Sequence, residues 1–150
     1  MKKYLAFFLF AVLIFFHGCK PSRSDESEVE AKLTDGTWHQ TEYWIDNNMD
    51  GIFDHITEPC ITDNTWRFES DGDFIWDEGD ESCDGGIPFV STAHWELLNN
   101  DSQIKVTFDF DPEDPIGLAI DEISNNLLLA HTIYFDDPTA PVFEKFEFHR

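Results

Sequence analysis

The sequence predicts an all-β domain, an eight-stranded antiparallel up-and-down barrel preceded by a cleaved N-terminal signal peptide. Three observations predict it. Eight stretches between Thr37 and Arg150 alternate apolar and polar residues, the period-two pattern of strands that bury one face. The turns Asn99-Asn100-Asp101 and Ser124-Asn125-Asn126 are shorter than the crossings a β-sandwich usually needs. A flat meander of this size would expose two edges, and closure into a cylinder removes both.

The chain opens with Lys2 and Lys3, an apolar run from Tyr4 to Phe16, and then His17-Gly18-Cys19. That run is shorter than the ~20 residues a helix needs to cross ~30 Å of hydrocarbon, so Met1–Gly18 reads as a signal peptide. The small residue before Cys19 resembles the lipobox of bacterial lipoproteins. The resemblance implies lipidation of Cys19 and a membrane-anchored place in the bacterial cell envelope, with the outer membrane the first expectation. Residues 19–32 follow as a polar tether, within which SEVEAKL has the composition for a turn or two of helix. The domain proper is then 33–150, a length suited to one core.

The first strand is expected from Thr37 to Ile45, with Trp38 and Trp44 on one face and Tyr43 and Ile45 on the other. A long polar loop from Asp46 to Pro59 leads to a hairpin, Thr65–Ser70 with Asp73–Asp77. A three-residue loop with Gly72 left-handed pairs Phe68 with Phe74 and Trp66 with Trp76, placing four aromatic rings on one face. A two-residue Asp-Gly loop would split them between faces, so the first register is preferred. Further strands are expected at Ser91–Leu98, Ser102–Phe110, Ile116–Ile123, 127–135 and 142–150. Asp111-Pro112-Glu113-Asp114-Pro115 is expected outside the sheet, because proline has no donor for the ladder.

With Cys19 assigned to lipid, Cys60 and Cys83 remain as a pair at the open ends of the hairpin, and in an oxidising compartment a disulfide is the default. The chain has 9 basic residues against 31 acids, a net charge of −22. Loss of Met1–Gly18 removes Lys2 and Lys3 and no acid, which brings the mature charge to about −24. A field of that sign excludes nucleic acid as a partner and concentrates cations.

No Gly-x-Ser-x-Gly, His-Glu-x-x-His, phosphate-binding glycine loop or Cys-x-x-Cys occurs, and the histidines are scattered, so no enzyme is expected. One dense constellation stands out, Asp46-Asn47-Asn48-Met49-Asp50-Gly51-Ile52-Phe53-Asp54. Asp46, Asn48, Asp50 and Asp54 fall on ligand positions of a calcium loop, Gly51 on its turn, and Ile52 on the position that offers a carbonyl. Thr57 stands where a bidentate glutamate belongs, so one weakly held calcium ion and a plain polar turn are the two readings of this loop.

Three features together resemble the lipocalin-like domains of bacterial lipoproteins of the Bacteroidetes type. They are Gly36-Thr37-Trp38, the hairpin from Cys60 to Cys83, and Ile120-Asp121-Glu122-Ile123 before Leu127-Leu128-Leu129. The resemblance spans Leu33–Arg150 and implies a barrel open at one end, with a basic side chain, here Arg150, covering Trp38. It implies binding rather than a reaction. The expected cavity lining is Trp66, Phe68, Phe74, Trp76, Trp95, Phe108 and Phe110, bulky enough to leave only a small space. The leading expectation is therefore a lipid-anchored binding or accessory module for a small apolar ligand. The alternative is a calcium-stabilised surface domain that meets a partner protein.

Overall fold

The computed structural model describes residues 26–48, 50–133 and 144–150. The expected signal peptide, Cys19 and the first half of the tether lie outside the described residues, as do Met49 and the junction between the last two strands. The architecture is an antiparallel barrel of eight strands with a ninth short strand folded against it. In chain order the elements are α1 (Glu28–Leu33), β1 (Thr37–Ile45), β2 (Asp54–Ile56), α2 (Pro59–Thr62), β3 (Thr65–Phe68), β4 (Asp73–Asp77), β5 (Val90–Leu98), β6 (Gln103–Phe108), β7 (Asp111–Ile123), β8 (Leu127–Ile133) and β9 (Glu144–His149).

Neighbours in sequence pair from β3 through β9, and β1 pairs with both β3 and β9, which closes the cylinder. One edge of β1 bonds to β3 over Thr37–His39 and to β2 over Tyr43–Ile45, so β2 takes over where β3 ends. The long polar loop expected at Asp46–Pro59 is thus replaced by a hairpin turn, β2 and the short α2. The central hairpin has the register its aromatics require, with Phe68 opposite Phe74, Trp66 opposite Trp76, and Gly72 at φ +96°. The Gly72 N–H donates to Glu69 O and its carbonyl accepts from the Trp95 N–H, which tucks the turn against β5.

Two bulges change what the alternation implies. A register shift between Gln40 and Glu42 reverses the parity of β1. Trp38 and Gln40 are buried, and beyond the shift it is Tyr43, not Trp44, that faces the interior, while Trp44 stacks on His55. The second correction concerns β7, which begins at Asp111 and runs through both prolines. Phe108 pairs with Asp111 and Val106 with Ile116, so Pro112 to Pro115 form an excursion opposite a single β6 residue and no ladder donor is required of them.

The two ends of the cylinder differ. At the closed end α1 starts on Ser27, whose hydroxyl accepts from the Glu30 N–H at 3.0 Å, and delivers Leu33 fully buried beneath the barrel. Val29 also packs on the core, so the domain reaches back into the segment read as tether. Trp38 is fully buried and donates its indole N–H to Leu33 O at 3.0 Å. The Arg150 guanidinium lies 4.2 Å from the Trp38 ring centroid and donates to Lys32 O and Asp35 O, so the last residue closes over the first strand.

This closure is testable. Arg150→Ala should lower stability by about 1–3 kcal/mol in urea unfolding, through loss of a cation–π contact and of hydrogen bonds from a charged donor. Asp35→Ala should cost roughly 0.5 kcal/mol or less, because Asp35 is largely exposed.

Candidate functional site

The opposite end of the cylinder holds a cavity of about 270 Å³. Its walls are mainly aromatic, with Tyr43, Trp66, Phe74, Trp76, Phe108 and Phe146 contributed by β1, β3, β4, β6 and β9. Ring contacts knit this wall together: Trp66 meets Phe74 at 5.6 Å and Phe146 at 5.5 Å between centroids, and Trp76 meets Phe108 at 6.4 Å. Val106, Ile116 and Leu118 complete the apolar lining from β6 and β7.

Four of the seven residues expected to line the space do so: Trp66, Phe74, Trp76 and Phe108. Phe68 and Trp95 are buried but sit nearer the closed end, where they pack on each other at 5.2 Å and Trp95 donates its indole N–H to Glu69 O. Phe110 is corrected outright. It is 78% exposed, because β6 ends at Phe108 and the chain turns before Phe110 can continue the inward set. Phe110 instead meets Phe108 in a tilted ring contact at 5.1 Å between centroids.

The polar part of the lining was not anticipated. Gln40, Asn64, Thr132 and Glu144 all contribute to the cavity. Thr132 and Gln40 lie in phase with inward neighbours, Leu128 and Ala130 on β8 and Trp38 on β1, so alternation alone would have found them. Glu144 is likewise in phase with Phe146 and Phe148 on β9, whereas Tyr43 was hidden by the β1 bulge. Among the described residues, Asn64 Oδ1, Trp66 Nε1, Trp76 Nε1 and Thr132 Oγ1 are buried with no hydrogen-bond partner in the protein. Four such atoms among the residues around one cavity are unusual, since each orphaned buried group costs about 1–3 kcal/mol. By contrast, the Tyr43 hydroxyl donates to Glu144 Oε1 at 2.7 Å. Burial, then the hydrogen bond and the negative charge of Glu144, push the Tyr43 phenol well above its ordinary range, so it stays protonated as a donor.

One side of the mouth is built by α2. Cys60 is joined to Cys83, as the cysteine arithmetic expected, and this ties α2 to the loop after β4. Closing that loop should stabilise by ~3 kcal/mol on the chain-entropy account. Asp63 Oδ2 accepts from the Asp80 and Glu81 N–H groups at 2.8 and 2.9 Å. Gly79 passes so close that a Cβ there would lie 2.6 Å from the Asp63 carbonyl, and its φ is +76°. The Gln40 N–H donates to Asn64 O at 2.9 Å, seating the segment on β1. The result is that Ile61 and Asn64 face the cavity.

The loop singled out for calcium is the turn of the β1–β2 hairpin. Asp46 is 1% exposed, and its carboxylate accepts from the Asp50 and Gly51 N–H groups at 3.2 and 2.7 Å. Asn48 Oδ1 accepts from the Asp50 N–H and Asp50 Oδ1 from the Ile52 N–H, while Asp54 pairs with Ile45 and is exposed. Among the described residues the group of three metal-ligating side chains that comes together is Glu58, Cys60 and Cys83, and its two sulfurs are spent on the disulfide.

Neither a protein-family model nor a curated protein matches this chain. A second, more open depression of about 300 Å³ lies between Trp44, Phe53 and Lys145 and carries charges of both signs. The barrel cavity is therefore the site with convergent polar groups in a mainly apolar enclosure.

Thr132→Val tests the cost of this arrangement. Removing an orphaned hydroxyl while keeping the side-chain shape should raise stability by about 1 kcal/mol in denaturant unfolding. An unchanged or lowered stability would mean that the hydroxyl is satisfied.

Proposed function

We propose that this chain is an exported, lipocalin-like binding module, anchored through lipidated Cys19 in the bacterial envelope, that holds one small ligand in the mouth of its barrel. The observation that carries the reading is the cavity itself: an aromatic enclosure of about 270 Å³, just under the ~300–1,000 Å³ range of ligand sites, with Gln40, Asn64, Thr132 and the Tyr43–Glu144 pair on its wall. A mainly apolar enclosure with a few polar side chains on its wall is the pattern expected of a small-molecule site. Binding is favoured over catalysis because the one hydroxyl beside a carboxylate on the described lining, Tyr43 against Glu144, is held protonated as a hydrogen-bond donor.

Saturable uptake of an environment-sensitive apolar dye tests the site. Ile116, half exposed at the rim, admits a larger side chain without repacking the core, so Ile116→Trp should reduce dye affinity about tenfold or more with little change in melting midpoint. Uptake that ignores this substitution places the dye elsewhere. For the anchor, labelled palmitate should enter the protein but not its Cys19→Ser variant.

Calcium belongs to the same proposal as a structural ion. Support comes from Asp46, a buried carboxylate held by backbone N–H groups with no salt bridge among the described residues. Millimolar calcium should raise the melting midpoint of the parent and not of an Asp46→Ala, Asp50→Ala double variant, consistent with the ~10⁻⁴ to 10⁻³ M affinities of extracellular modules. An equal response in the two proteins leaves the loop a plain turn.

A further inference from the structure

We infer that the barrel cavity selects a small cationic amphiphile, an alkyl- or arylammonium compound, over a carboxylate such as a fatty acid. The inference rests on the binding role proposed above and names its ligand chemistry. Glu144 is the one charged residue on the described lining, and no lysine, arginine or histidine contributes to it. A carboxylate ligand would therefore enter without a counterion and beside a fixed negative charge, which disfavours it in a partly desolvated site.

An ammonium head meets the opposite conditions. One Glu144 oxygen accepts from the Tyr43 hydroxyl, which holds the carboxylate in place at the mouth and leaves its remaining lone pairs for a second donor. Gln40, Asn64 and Thr132 add uncharged polar side chains to the same lining, so no positive charge there competes with an ammonium for Glu144. Tyr43, Trp66 and Trp76 on the same lining are the ring types whose quadrupole attracts a cation, tryptophan being the strongest. An apolar tail then has Phe74, Val106 and Leu118 to pack on. Tyr43 supports this scheme because it keeps its proton and so gives Glu144 a donor rather than a competing charge. The net charge of −22 adds a long-range field that concentrates cations and repels anions.

The test is isothermal titration of the purified protein at pH 7 with hexylamine, hexan-1-ol and hexanoate, which share one tail and differ in head. Hexylamine should bind about tenfold tighter than hexanol, and hexanoate weakest of the three. Glu144→Gln should remove the amine's advantage while hexanol binding persists, which also reports that the variant is folded. Tyr43→Phe retains the carboxylate and should retain the preference. Hexanoate binding as well as hexylamine, or an amine preference that survives Glu144→Gln or disappears in Tyr43→Phe, overturns the inference and leaves the cavity a binding site of other selectivity. Failure of all three compounds to bind instead overturns the binding role itself.

Discussion

Everything in this molecule depends on β1 being hydrogen-bonded along both edges. Its pairing with β9 turns an open meander into a cylinder, and its other edge is shared between β3 near the closed end and β2 near the mouth. An eight-stranded cylinder is just wide enough for side chains to fill it or for one small ligand to occupy part of it. The choice between the two is made along the strand axis. Leu33, Trp38, Phe68 and Phe148 fill the lower half completely, whereas Gln40, Thr132 and the rings of Trp66 and Trp76 surround a space in the upper half.

The polar groups follow the same division. At the closed end Trp38 and Trp95 donate their indole N–H groups to backbone carbonyls, and Arg150 bonds to the carbonyls left over near the end of α1 and the turn after it. At the mouth the indole N–H groups of Trp66 and Trp76 have no such partner. The same residue type is thus satisfied at one end and left orphaned at the other, within one aromatic core. The bracket of Cys60–Cys83, Asp63 and Gly79 holds α2 over the mouth, so its shape does not depend on the barrel strands alone. For the binding role proposed, a rim held in this way would let the cost of ordering be met during folding rather than on binding.

Much of this was legible in the sequence wherever period-two alternation ran uninterrupted. The hairpin register followed from the demand that Trp66, Phe68, Phe74 and Trp76 share a face, and the disulfide from two cysteines at its open ends. The closed end was legible through Gly36-Thr37-Trp38 and Arg150. What alternation cannot express is a bulge. The shift after Gln40 exchanged Tyr43 for Trp44, and the excursion opposite β6 let β7 absorb Pro112 and Pro115. Phe110 was assigned inward because the pattern carries no mark of where β6 stops. The polar lining was missed for a different reason. A glutamine or threonine in phase with buried neighbours reads as a lapse in the apolar pattern, when here Gln40 and Thr132 are polar members of the cavity lining.

The central claim is that the mouth, and not the closed end, receives a ligand. It is tested most directly by the indole N–H resonances of the five tryptophans in a ¹⁵N-labelled sample titrated with hexylamine. The account predicts that the Trp66 and Trp76 signals shift with saturation while those of Trp38 and Trp95, already bonded to Leu33 O and Glu69 O, stay in place. Movement of Trp38 or Trp95 with Trp66 and Trp76 unmoved, or no movement in any of the five, would contradict it.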